Sequence, residues 1–170
     1  MKKIFCAFVI LTAMFAAMAA PAFAAEMKLA YVDMEEVFDG YQKTKDQDLV
    51  LKTAGEAKEK ERNDMMASLR SMEDEIALLS ADARAKKQEQ LIEKKRQLED
   101  FDRNVRQQLA EQRNKMIREI ITEIEEAVQA VGQRGGYDMV FNRRMLNYQK
   151  KEYDITAQIS AELAKKYKKA

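Results

Sequence analysis

The apolar and polar positions change pattern several times along the chain. Residues 4–20 are apolar apart from Thr12 and carry no charge. A short apolar run, MKLAYV at Met27–Val32, has the length and tyrosine content of a buried strand. Asp33 follows, with Glu36 three residues on. This is a capping-box arrangement, in which the aspartate accepts from early helix N–H groups and the glutamate reaches back. A helix is therefore predicted from there to about Leu79, with Val37, Phe38 and Tyr41 giving it an apolar side near the strand. In its far half Met65, Leu69, Met72, Ile76 and Leu79 recur at alternating steps of four and three, a heptad-like seam. The near half, KTAGEAKEKERN, has almost no seam and contains Gly55.

Ser80 interrupts the pattern and can cap a second helix, with Asp82 well placed for the helix dipole. The second helix is predicted from about Ala81 to Val131 or Gly132. Its Leu98, Val105, Leu109, Met116, Ile120, Ala127 and Val131 alternate steps of seven and four, which favours nearly straight packing. Gly135-Gly136 is a natural stop. At 1.5 Å per residue each helix spans about 70 Å, and a short turn at Ser80 makes them an antiparallel hairpin, a protruding arm with its tip near residue 80. The pattern then returns to strand character in YDMVFNR, with a second strand expected over Met145–Tyr148. A final helix, DITAQISAELAKKY, is capped by Asp154 or Thr156 and places Ile155, Ile159 and Leu163 on one face. The hairpin returns Val131 near Asp33, so MKLAYV and YDMVF can share one sheet. A sheet this small needs partners for its stability and its edges, and assembly of several copies supplies them. Leu29, Tyr31, Val32, Met139, Val140 and Phe141 are the expected assembly residues.

The fold class expected is mainly α with a small β part. Residues 1–24 form a cleaved export signal, 25–33 and 132–170 a β-rich base with a C-terminal helix, and 34–131 the arm. The signal follows from Lys2 and Lys3, the apolar run, and Ala22-Phe23-Ala24, with cleavage after Ala24 and Ala25 as the near alternative. The lone Cys6 is lost with it, which leaves neither cysteine nor histidine. The destination is then an oxidising compartment, the periplasm, reached without any disulfide. Cleavage lowers the basic count from 30 to 28 against 29 acids, a net charge of −1. Electrostatic function must come from how charge is distributed.

Candidate chemistry is sparse. General acid–base catalysis lacks histidine, thiol catalysis lacks cysteine, and the carboxylates sit in repeats such as EKKRQLED that read as ion-pair faces. GQRGG lacks the context and ending of a phosphate loop, and no EF-hand spacing occurs. No enzyme activity, cofactor, metal or nucleic-acid partner is expected. The arm tip is more informative: between Ser80 and Gln97, Arg84, Lys86, Lys87, Lys94, Lys95 and Arg96 stand against Asp82, Glu89 and Glu93. Such a tip can attract an acidic client, lipopolysaccharide phosphates or anionic lipid. Met65 and Met72 belong to the seam, Met66 lies off it as a candidate client contact, and Phe101 is ambiguous. Gly55 is the candidate flex point of the arm.

The entry KLAYVDMEEVF, the charged hairpin, and the closing GYDMVF and YDIT together resemble the Skp/OmpH family of periplasmic chaperones. The resemblance covers the whole chain after the signal, and its specific parts are the two ends. It implies a homotrimer whose base is a small intersubunit β-barrel, with three arms around a cavity. It further implies an ATP-independent holdase for unfolded outer-membrane β-barrel proteins. The rival readings are a trimeric envelope spacer or adaptor, and a lipid- or lipopolysaccharide-binding module acting through the tips.

Overall fold

The computed structural model describes residues 27–169, so the expected signal, its cleavage site and Cys6 lie outside the described residues. The chain is mainly α with a two-stranded sheet. In order come β1 (Leu29–Val32), α1 (Met34–Gly40), α2 (Gln42–Ala77), α3 (Ala81–Gly135), β2 (Met139–Asn142), 3-10 turns at Arg143–Met145 and Lys151–Tyr153, and α4 (Thr156–Lys169). β1 and β2 pair in parallel, Leu29 opposite Met139 through Val32 opposite Asn142. A parallel pair needs a crossover connection. Here the crossover is the entire helical hairpin, and the arm is an extended loop of it. The Lys28 N–H donates to Asp138 Oδ2 at 2.6 Å, and the Asp138 N–H returns to Lys28 O at 2.8 Å, fixing the register at its open end.

Two helix starts meet at the other end of β1. Asp33 Oδ1 accepts from the Glu35 and Glu36 N–H groups, both at 3.1 Å, as its position before a helix requires. The reciprocal half of the capping box comes from elsewhere. The Asp33 N–H donates to Thr156 Oγ1 at 2.9 Å rather than to Glu36. Thr156 in turn donates its N–H to Asp154 Oδ1 at 2.9 Å, and the Ile155 N–H donates to Tyr31 O at 3.0 Å. The first turn of α1 and the first turn of α4 therefore hold one another. Arg143 Nη1 adds a donor to Asp33 Oδ2 at 2.5 Å.

The helix expected to run unbroken from Asp33 to Leu79 is divided. Tyr41 is extended (φ −71°, ψ 128°) between α1 and α2. Its side chain explains the break, because the buried ring packs edge-to-face on Tyr167, 5.9 Å between centroids, and its hydroxyl donates to Glu123 Oε2 at 2.9 Å. The two arm helices consequently differ in length, 36 against 55 residues, or about 54 and 82 Å. At the far end of α3, Gly136 takes a left-handed φ of 63° and the Tyr137 N–H returns to Gly132 O at 3.0 Å, a terminus that glycine favours. Gly135 is needed for space, since a Cβ there would lie 2.4 Å from the Tyr137 ring. The strand expected over Met145–Tyr148 does not form. Asn142 Oδ1 accepts from the Arg144 N–H at 3.1 Å and curls the chain into a 3-10 turn instead.

Val37, Ile120, Ile124, Ile155, Ile159 and Leu163 are fully buried and join α1, α3 and α4 into one core. Each contributes about 1.5–3 kcal/mol by leaving water. The fully buried layer ends at Thr44 on α2 and Met116 on α3, with half-buried Leu51 packed on its end. Beyond those levels only Leu69 is buried among the described residues of the arm. The expected seam residues Met65, Met72, Ile76, Leu98, Val105 and Leu109 are half-buried, as a two-helix ribbon with no third layer requires.

The double cap has a pH signature. The Glu36 N–H and, against the cost of burial, the Arg143 guanidinium hold the Asp33 carboxyl below its ordinary value. Burial opposes the Asp154 charge, but the Thr156 hydroxyl and N–H outweigh it and also lower that carboxyl. Both groups bind protons more weakly folded than unfolded, so their stabilisation is complete above the ordinary carboxylate range and is lost as pH falls through the folded values. The urea midpoint is expected to fall between about pH 5 and pH 3, and less steeply in Asp33→Asn, which keeps the cap but not the charge. Equal slopes in the two proteins would contradict this.

Candidate functional site

The base carries an apolar face on its unpaired side. Among the described residues β2 has β1 on one edge and no strand on the other, an edge that invites pairing. Beside the sheet lies an apolar cleft of about 350 Å³ bordered by Met27, Leu29, Phe141, Leu146, Tyr148 and Tyr153. Tyr148 is 81% exposed and Met139 50%, large apolar groups with no cover in the single chain.

The six residues expected at the assembly face divide between two environments. Leu29 and Met139 are exposed, and Phe141 is half-buried in the cleft wall. Tyr31 and Val32 are buried within the chain itself, and Val140 is half-buried against the core, its Cγ2 3.8 Å from where a Gly132 Cβ would stand. Ala30 and Val32 enter the helical core, while Tyr31, 5% exposed, sits in the lining of the cleft with Asp154 bridged to it along the second edge of β1. Met27, Leu146, Tyr148 and Tyr153 lie outside the expected set. Met27 falls in the predicted first strand and Leu146 and Tyr148 in the strand expected over Met145–Tyr148, while Tyr153 precedes the last helix, and nothing local in the sequence marks the four as lining one cleft.

The arm tip is less basic than the residues from Ser80 onward imply. The facing end of α2 brings Glu73, Asp74 and Glu75 to the same level. Between residues 68 and 97 there are seven basic and six acidic side chains. Lys87 pairs with Glu75 at 2.8 Å, Lys95 with Glu73 at 2.7 Å, and Arg96 with Glu93 at 2.8 Å. Arg84 donates to Leu79 O at 3.3 Å and Lys94 lies 3.5 Å from Ser68 Oγ. Lys86 is exposed. Exposed pairs of this kind contribute about 0.2–1 kcal/mol each, but they cancel most of the local field. Leu78, 88% exposed, forms the apex, and Ile92 is exposed nearby.

At mid-arm α2 runs through Gly55 as continuous helix. A shallow gap of about 290 Å³ opens there between Gly55, Lys58, Phe101 and Val105. Lys58 Nζ sits 5.5 Å over the half-buried Phe101 ring, and Arg62 Nε donates to both Asp102 oxygens at 2.9 and 3.2 Å. Arg62 Nη1 also donates to Met66 Sδ at 3.1 Å, so Met66 is half-covered by its own helix. Polar contacts thus occupy the layer where the apolar seam is missing. Among the described residues no acid, histidine or cysteine group is arranged to hold a metal, and no helix is long and apolar enough to cross a membrane.

The arm root carries a connected polar cluster. Lys43 Nζ lies 2.6 Å from Glu123 Oε1 while Tyr41 holds the other oxygen. Tyr167 Oη donates to Asp46 Oδ2 at 2.5 Å, and Gln42 to Asp46 Oδ1 at 2.8 Å. Burial opposes the Glu123 charge, but Lys43 and Tyr41 outweigh it and hold the carboxyl below its ordinary value. The Tyr167 hydroxyl, then Gln42, do the same for Asp46.

A small parallel base carrying a long helical hairpin defines the class of protein. A family model described as outer membrane protein (OmpH-like) matches residues 28–163, and the chain belongs to that family. A crystal structure from Caulobacter crescentus CB15, described as that of an OmpH-like outer membrane chaperone, superposes with a TM-score of 0.77 at 16% identity, covering 84% of this chain and 86% of that one. At that identity the likeness speaks to the fold. No curated protein sequence matches the chain.

The Gly55 site yields a prediction. A Cβ there meets nothing within 4 Å, so Gly55→Ala gains helix propensity without a clash. It should stabilise the chain by about 0.4–1 kcal/mol and slow amide exchange over residues 50–60. Exchange equal to that of the parent would show that this layer is not the weak part of the arm.

Proposed function

We propose that this chain is an ATP-independent holdase of the periplasm that keeps unfolded outer-membrane β-barrel proteins from aggregating, working as a homotrimer whose arms surround the client. The observation that carries this reading is membership of the OmpH-like family across residues 28–163. The Caulobacter crescentus structure, which has the same fold and is described as a chaperone, agrees with it. The chain's physical character supports the same role. Its arm extends far past the last fully packed core layer and offers scattered exposed apolar groups, Leu49, Val50 and Ile92 among them, on a heavily charged surface. Such a surface gives many weak contacts, which suits retention of an unfolded chain without a fixed pose. The uncovered apolar base and the free edge of β2 supply a reason to assemble. The lipid reading is weakened by the acids of α2, which sit among the basic tip residues.

Dilution of a urea-denatured outer-membrane β-barrel protein, with and without the chain lacking residues 1–24, tests the proposal by light scattering and by the mass of the soluble complex. Suppressed scattering and a complex containing three chains are expected. Undiminished scattering from a chain that is itself folded and oligomeric would favour an envelope spacer. Retention on anionic vesicles without any client would favour the lipid-binding alternative.

A further inference from the structure

A two-helix ribbon cannot bend in its own plane unless one helix slides along the other. Packed helices lie about 8–10 Å apart, so a bend of about 10° requires about 1.5 Å of slip, close to one residue of helical rise. In this arm the slip has one place to go. α3 is continuous from the tip into the core, where Ile120, Ile124 and Val131 anchor it. The short turn at Leu78–Ser80 ties α2 to α3 at the tip. Only the root of α2 remains, and there the helix is interrupted. Tyr41 is extended, and Gly40 before it has nothing within 4 Å of its Cβ position. An unbroken helix from α1 would carry the slip into the core, whereas this break isolates it.

The break is spanned by side chains. Tyr41 and Lys43 tie the root of α2 to Glu123 of α3. The Tyr167 hydroxyl ties it to α4 through Asp46, with the Tyr41 and Tyr167 rings in edge contact. Lys166 bonds Glu126 at 2.5 Å and fastens α4 to α3 beside them. The Thr44 hydroxyl, buried in the same place, has no hydrogen-bond partner among the described residues, so the root is not bonded to completion. We infer that the break at Tyr41 is a slip joint for the arm, and that the C-terminal helix is its brake, acting through Tyr167 on Asp46 and Tyr41. The brake then limits how far the arms part. That consequence for clients rests on the holdase reading, while the mechanics can be measured with no client present.

Spin labels at Ser71→Cys on the arm and Gln158→Cys on the base, both exposed positions, report arm position by pulsed dipolar spectroscopy. Labelled chains are diluted into an excess of unlabelled chain so that only distances within one chain are read. Tyr41→Phe/Tyr167→Phe keeps both rings and removes both hydroxyl bonds. Its distance distribution is expected to broaden about twofold with helix content unchanged, and Tyr167→Ala to broaden it at least as much. Lys165→Ala, on the exposed side of α4, should leave it unaltered. A parental width in the double phenylalanine variant would overturn the brake. Should Tyr167→Ala lose helix content, the phenylalanine pair alone decides. Failure of the aggregation assay with a broadened distribution would reject the holdase and leave the joint standing.

Discussion

The structure depends on one closure: the parallel pairing of β1 with β2, sealed where the Asp33 N–H donates to Thr156 Oγ1. The paired residues Lys28 and Asp138 are 110 positions apart, so the arm exists as a crossover whose ends the sheet must bring together. Loop-closure entropy grows only slowly with length, which is why a hairpin of this size can be inserted between two four-residue strands. The stabilisation is concentrated where the ends meet. Ile155, just before α4, and Ile159 and Leu163 within it cover the same site that Val37 of α1 and Ile120 and Ile124 of α3 approach from other sides. The C-terminal helix is therefore the element that turns a two-stranded ribbon, marginal by itself, into a folded base.

That concentration leaves the arm with little of its own. From Met116 toward the tip, half-buried seam residues alternate with ion pairs and with the Lys58–Phe101 stack. Local opening free energies are lowest where apolar contacts are few, so mobility should rise from root to tip. The same composition that makes the arm weak as a structure makes it adaptable as a surface.

The elements are legible in the sequence because their signals are local. The 3.6-residue stripe of the last helix, the glycine stop after α3 and the Asp33 cap all follow from residues within one or two turns. The failures share the opposite character. The break at Tyr41 is fixed by Glu123 and Tyr167, partners far along the chain, although Gly40 is a local hint of a helix end. Ile124 escapes a narrow arm-like seam because the helix has entered the core at that level and needs a wider stripe. The residues of Met145–Tyr148 have strand character, but Asn142 captures the following N–H and turns the chain away. At the tip, charges counted along one helix omit Glu73 and Glu75, which only the antiparallel partner brings alongside. For the expected assembly residues, membership of the sheet is readable, but which side chains remain uncovered depends on distant packing, with Val32 entering the helical core and Asp154 bridging to Tyr31.

The uncovered apolar groups and the open strand edge support the proposal that other copies of the chain complete the base. Thermal unfolding of the chain lacking residues 1–24, followed over a hundredfold range of concentration, is the direct test. If folding is coupled to assembly, the midpoint rises with concentration by mass action, and Tyr148→Ser/Tyr153→Ser lowers it while reducing the oligomer. A midpoint independent of concentration, with a folded monomer in sedimentation, would mean that the single chain closes its own base, and completion by assembly would be wrong.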